Sequence, residues 1–242
     1  MFFKWADEGS LRPLDPLTTF SPSQVSQAFA FLEDPNHIGK VVVAMAGEAT
    51  LSLDALPPVS ILTLNAEGSY LLTGGVGGLG IAAATWLVER GARHLTFLSR
   101  SSGVNKASRH LFDELQAMGC SVTAVAGRAD CIEDVEEAVR KSQRPMIGVL
   151  HLAMVLDDGP LLQISWTQWQ RVMAPKADGA WNLHSVLSSQ GITPDFFFVA
   201  SSIVGVLDAT GQANYVAANA VNQAFCQYRL GLGLPTSLLN IV

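Results

Sequence analysis

No part of this chain is apolar for long enough to cross a bilayer as a helix. The longest such run, residues 196–207 (FFFVASSIVGVL), falls well short of the roughly 20 residues required. The opening residues, MFFKWADEGS, have no apolar core of signal-peptide length. Together these absences lead us to expect a cytoplasmic protein. Cationic side chains are scarce: 15 Lys plus Arg against 21 Asp plus Glu leave a net charge of −6. That is too little positive charge for a nucleic-acid footprint, and no basic amphipathic stretch offers itself to a membrane surface. The expected partner is a small molecule, with no nucleic acid and no membrane. Cysteine is rare as well. Cys120, Cys131 and Cys226 have neither CxxC nor zinc-like spacing, and an odd count in a reducing compartment points to ordinary buried thiols. His37 has no second histidine or carboxylate at ligand spacing, so no metal site is expected.

What the chain does have is glycine in one place. Residues 68–80 read GSYLLTGGVGGLG, a short apolar run that ends in five glycines within seven residues. Tyr70, Leu71 and Leu72 read as a buried strand, and the apolar residues 79–88 as the helix after it. A strand, a glycine turn and a helix in that order make a phosphate cradle. The turn needs positive φ or bare backbone, and the helix N-terminus points its amides at an anion. Thr73, Gly74, Gly75, Gly78, Leu79 and Gly80 are the candidate cofactor-binding residues of this turn.

The length suits one α/β domain plus an extension. Residues 1–48 read as a separate piece. Ser21, Pro22 and Gln24 fit a helix start with a capping box, and the helix should run to about Leu32 with Val25, Ala28, Phe29 and Leu32 as its apolar stripe. Pro35, Asn36 and Gly39 then turn into a strand over 40–45. Residues 49–68, with Pro57 and Pro58, read as a linker. From residue 69 onward strands and helices alternate. Strands are expected over 94–98, 121–126, 147–152, 196–200 and 237–241, and helices over 108–118, 132–141, 166–187 and 215–230. Such alternation specifies a Rossmann-like, doubly wound parallel sheet, with its ligand at the carboxyl ends of the strands.

The second strand of this sheet ends Phe97, Leu98, Ser99, Arg100, Ser101. An acidic residue there would accept from the adenosine ribose and favour NAD; none is present. Arg100 can instead pair with a 2′-phosphate, which makes NADPH the expected cofactor, with Ser99 beside it. Asp130, past the third strand, has two readings: acceptor for the adenine amino group, or cap of the next helix.

The chemistry is expected in residues 196–219, FFFVASSIVGVLDATGQANYVAAN. A strand ends at Ser202, and Tyr215 and Asn219 lie four apart on one face of the following helix. A serine hydroxyl can hold a carbonyl oxygen and a phenol can protonate it. A free tyrosine has a pKa of about 10, so it needs a nearby cation to act as an acid at neutral pH. Lys176 can supply that charge if its helix packs alongside. The bland alternative is a structural tyrosine and a surface lysine.

The stretches TGGVGGLG, FLSRS, AMVLDDG, APKADGAWNLH, ASSIVGV and GQANYVAAN, spread over residues 68–240, together resemble the ketoreductase domain of fungal highly reducing polyketide synthases. That domain is a branch of the short-chain dehydrogenase superfamily. The resemblance implies that Ser202 positions a carbonyl, Tyr215 donates the proton, and Lys176 and Asn219 complete a relay, the last two exchanged relative to ordinary superfamily members. It also implies that Ala153 contacts the cofactor. Residues 1–48 are similar to the tail of the preceding enoylreductase domain, without a second cofactor fold. Leu156, Asp157 and Asp158 match a signature linked in bacterial relatives to an R-configured hydroxyl. Asp208 stands where the family has glycine. The sequence stops at Val242, where relatives continue into a substrate lid, so a second copy or another chain is expected to cover that edge. The implied function is NADPH-dependent stereoselective reduction of a polyketide-like or terpenoid ketone. The alternative is a non-catalytic NADP-binding remnant or docking module.

Overall fold

A computed structural model describes residues 15–45, 62–101, 106–207 and 209–241. The chain divides into two compact units, Met1–Ser60 and Ile61–Val242. Most of the linker expected over 49–68 lies outside the described residues, as does Asp208.

In the first unit, β1 (Leu17–Phe20) pairs in parallel with β2 (Lys40–Val43), and α1 (Val25–Glu33) connects them. The helix starts as its sequence directs: Pro22 opens a single 3-10 turn, and the Ser21 N–H donates to Gln24 Oε1 at 3.1 Å. Strand β1 was not expected, because LTTF carries no alternation strong enough to mark a strand. The apolar stripe of α1 is not a buried face. Ala28 is buried, whereas Val25, Phe29 and Leu32 are exposed. One helix on two strands has too little surface to cover a stripe that wide.

The second unit holds a six-stranded parallel sheet. In chain order it contains β3 (Ser69–Thr73), α2 (Gly78–Glu89), β4 (His94–Ser99), α3 (Lys106–Ala117), β5 (Ser121–Ala126) and α4 (Ile132–Lys141). It continues with β6 (Met146–His151), α5 (Trp166–Ser189), β7 (Phe196–Ser202), α6 (Ala213–Gly231) and β8 (Ser237–Ile241). The strand order is β5-β4-β3-β6-β7-β8. The winding reverses between β3 and β6, and in such sheets ligands bind outside the carboxyl ends at that switch point.

Two cores flank the sheet, because alternate residues of each strand face opposite sides. Tyr70 and Leu72 pack with Leu87 of α2 and Leu111 and Leu115 of α3. Leu71 packs on the other side with Val135 of α4, Leu183 of α5 and Phe225 of α6. All five residues of β3 are buried, as a strand covered on both faces must be. Helix α5 begins with a second capping box: Ser165 Oγ accepts from the Gln168 N–H at 3.3 Å, and the Ser165 N–H donates to Gln168 Oε1 at 3.0 Å.

The glycine turn is where packing is tightest. Gly74 has φ +70°, a conformation side chains rarely adopt, and a Cβ there would sit 2.8 Å from the Ala153 backbone. A Cβ on Gly80 would stand 2.4 Å from Gly75 Cα. Backbone cannot swing aside, so Gly80→Ala should destabilise the unit by about 2 kcal/mol or more. In thermal unfolding this should lower Tm by roughly 5 °C; an unchanged Tm would show that α2 does not approach β3 so closely.

Candidate active site

The carboxyl ends of β3, β4, β6 and β7 open onto one cleft of about 790 Å³. Its floor is the glycine turn. Gly74, Gly77, Gly78, Leu79 and Gly80 line it, and no side chain caps the N-terminus of α2, so the first-turn amides are left for an anion. A Cβ on Gly78 would meet nothing within 4 Å. This glycine is therefore not required by packing; it keeps the cradle open. Thr73 and Gly75 do not line the cleft. Thr73 is fully buried, with its hydroxyl 2.7 Å from His151 Nδ1, and a Cβ on Gly75 would strike Leu72 and the Phe97 ring. Both shape the turn from behind.

Beyond the turn lie Ser99, Arg100, Arg128 and Asp130. The Ser99 hydroxyl is buried and has no hydrogen-bond partner among the described residues. A buried hydroxyl without a partner is costly, and Ser99 is also a lining residue of this cleft. Asp130 does not cap α4. That helix has no side-chain cap, and the Asp130 carboxylate is paired with the Arg128 guanidinium. Ala153, whose backbone stands against Gly74, lines the cleft as well.

At the other end, three of the four residues singled out for chemistry line the same cleft: Lys176, Ser202 and Tyr215. Lys176 is 2% exposed on α5, and its Nζ donates to the Ala200 carbonyl at the end of β7 at 2.9 Å. The ammonium lies 5.4 Å from the centre of the Tyr215 ring. Burial pushes its pKa down to about 8. The Tyr215 hydroxyl points at Met154 Sδ, 4.0 Å away. Ser202 Oγ makes only long bonds, donating to the Ile241 carbonyl at 3.3 Å and accepting from the Val204 N–H at 3.4 Å. Asn219 stands behind this group. Its Nδ2 donates to the Tyr215 carbonyl at 2.9 Å and its Oδ1 accepts from Ser201 Oγ at 3.2 Å, which ties α6 to β7.

The acidic loop is structural cement between helices. Asp157 accepts from Gln168 Nε2 at 3.2 Å and from Arg171 at 3.0 Å, and these two donors hold its carboxyl below the usual range. Its carbonyl accepts from Asn214 Nδ2 at 2.9 Å, and Asp158 accepts from Gln212 Nε2 at 2.8 Å. The residue preceding Tyr215 is thereby pinned to this loop. Sequence reasoning missed Asn214, Met154, Ser201 and His151. Met154 and Asn214 directly follow or precede residues already singled out, but only the fold shows that they touch the site. Among the described residues, no three His, Cys, Asp or Glu side chains gather as a metal site.

Residues 68–242 match the family model described as "KR domain". Over 236 residues, 97% of this chain, the sequence is 42% identical to highly reducing polyketide synthase gloL of Glarea lozoyensis. It is likewise 42% identical, over 98% of the chain, to highly reducing polyketide synthase lcsB of Purpureocillium lilacinum. The chain spans about 9% of the length of these curated relatives. Among solved structures, A-type ketoreductases from a modular polyketide synthase superpose with a TM-score of 0.71 at 32% identity, covering 78% of this chain and 40% of theirs. An A1-type ketoreductase gives 0.69 at 32% identity, covering 77% and 40%.

Because Gly78 is free of packing contacts, Gly78→Ala should leave Tm unchanged or slightly raised, alanine being the better helix former. The same methyl narrows the cradle, and if the cradle holds a dinucleotide pyrophosphate it should weaken NADPH binding on the order of tenfold, read by calorimetric titration. Undiminished binding would place the pyrophosphate elsewhere.

Proposed function

The chain belongs to the KR domain family, and on that premise we propose that it reduces a ketone stereoselectively to a secondary alcohol with NADPH, in fungal polyketide-type metabolism. The observation that carries this reading is the buried Lys176 ammonium held over the Tyr215 ring, in the same cleft as the glycine cradle. NADPH, when bound, supplies the hydride that adds to the carbonyl carbon.

The chain's own residues do the rest. The Ser202 hydroxyl, held only by long bonds, turns to donate to the substrate carbonyl oxygen and orient it. Tyr215 gives that oxygen its proton. As the phenol releases the proton, the negative charge that develops faces the Lys176 ammonium. The ammonium lies 5.4 Å from the centre of the ring, and a cation at that range favours the charged phenolate over the neutral phenol. Asn219 fixes the main chain beneath Tyr215. Met154, Val155 and Ile241 line the substrate end of the cleft, which suits an apolar ketone. Arg100, which lines the cleft where the second strand of the sheet ends without a carboxylate, favours the 2′-phosphate of NADPH over the bare ribose of NADH. Three free cysteines fit a reducing compartment such as the cytoplasm.

Tyr215→Phe should fold and bind NADPH normally yet lose ketone-dependent NADPH oxidation by roughly a thousandfold. The charge on Lys176 is present below its pKa of about 8 and lost above it. The rate of reduction should therefore hold steady below pH 8 and fall as pH rises further. Full activity in Tyr215→Phe, or a rate that is flat to pH 9.5, would refute the assigned acid and its cation.

A further inference from the structure

We infer that His151 is a positioning residue for Lys176, a rigid strut between the glycine-turn strand and the helix turn that carries the lysine. The inference rests on the proposed reductase reading and extends it to a residue outside the cleft lining.

The side chain is 1% exposed at the end of β6, beside the switch point. Its two nitrogens reach in opposite directions: Nδ1 is 2.7 Å from Thr73 Oγ1 on β3, and Nε2 is 2.9 Å from the Lys176 carbonyl on α5. A carbonyl oxygen only accepts, so Nε2 carries the proton, and Nδ1 accepts from the threonine hydroxyl. One tautomer satisfies all three buried groups; an imidazolium would put a second positive charge in the same buried region as the Lys176 ammonium. Burial accordingly pushes the imidazole pKa down to about 4, and the lysine charge acts in the same direction.

The helix is built to receive this ring. A Cβ on Gly179 would lie 2.9 Å from His151 Cε1, so glycine is what lets α5 approach the imidazole. Pro175, inside α5, has no N–H and loosens the helical bonding one residue before the lysine. A turn weakened in that way needs an outside anchor. Lys176 has two: His151 holds its main chain from β6, and the Ala200 carbonyl holds its Nζ from β7. Facing the ring are Thr73 from β3 and Lys176 and Gly179 from α5; the lysine carries the charge in that set.

Two variants separate the two bonds, because an asparagine amide occupies the place of Nδ1 and a glutamine amide that of Nε2. His151→Gln keeps a donor for the Lys176 carbonyl; His151→Asn keeps the Thr73 bond and loses the lysine. With the full chain, NADPH and trans-decalone, His151→Asn should lower kcat on the order of tenfold with KM changed less than about twofold, and should move the alkaline fall of the rate. His151→Gln should restore most of kcat and the wild-type pH profile. Equal kcat and pH profile in wild type and His151→Asn, or equal losses in both variants, would overturn the proposal. Nitrogen NMR of histidine-labelled wild-type protein without substrate gives a test independent of turnover and of variant folding. The His151 ring should be the neutral Nε2–H tautomer and should not titrate between pH 6 and 9. An Nδ1–H tautomer, or titration near pH 6.5, would overturn the proposal. A wild-type chain that turns over no ketone would instead refute the reductase reading, and the spectrum distinguishes the two failures.

Discussion

A buried ammonium is the constraint on which the rest of the site depends. Removing Lys176 from water is costly, and the cost is met only if the charge finds a fixed hydrogen-bond acceptor and a polarisable neighbour. Ala200 at the end of β7 supplies the carbonyl, and the Tyr215 ring supplies the face. Both partners exist because β7 and α6 are consecutive elements that pack against α5 from the sheet side and from the flank. Burial lowers the Lys176 pKa to about 8, so the charge is retained at neutral pH and lost within reach of mildly alkaline pH.

The glycines divide by physical role. Gly75 and Gly80 are demanded by contact between turn, strand and helix, whereas Gly78 has open space beside it and serves the cleft. The same distinction appears on α5, where Gly179 admits the His151 ring. A parallel sheet packed on both faces leaves free backbone at its carboxyl ends, and here that free backbone lies within one cleft with Lys176, Ser202 and Tyr215.

Much of this was legible in the sequence. The strands of the second unit end within one or two residues of the positions that apolar runs mark, because the central strands β3 and β6 are buried on both faces and the turn residues between elements punctuate the rest. The pairing of Lys176 with Tyr215 was legible only as a possibility, since it required α5 and α6 to pack side by side. What stayed hidden is long-range. His151 meets Thr73 across 78 positions, and Asp157 meets Asn214 across 57; no local period encodes such contacts. Asn219, Thr73 and Gly75 carry the right residue types but stand behind the cleft wall, because a motif string does not say which of its members face inward. The exposed stripe of α1 shows the converse limit: helical period marks a face, not what covers it.

The most direct test is to purify the 242-residue chain and follow absorbance of NADPH, and separately of NADH, in the presence of trans-decalone. The account predicts ketone-dependent loss of the NADPH signal, with little from NADH. Tight NADPH binding with no turnover would contradict it and leave the chain a cofactor-binding module without chemistry.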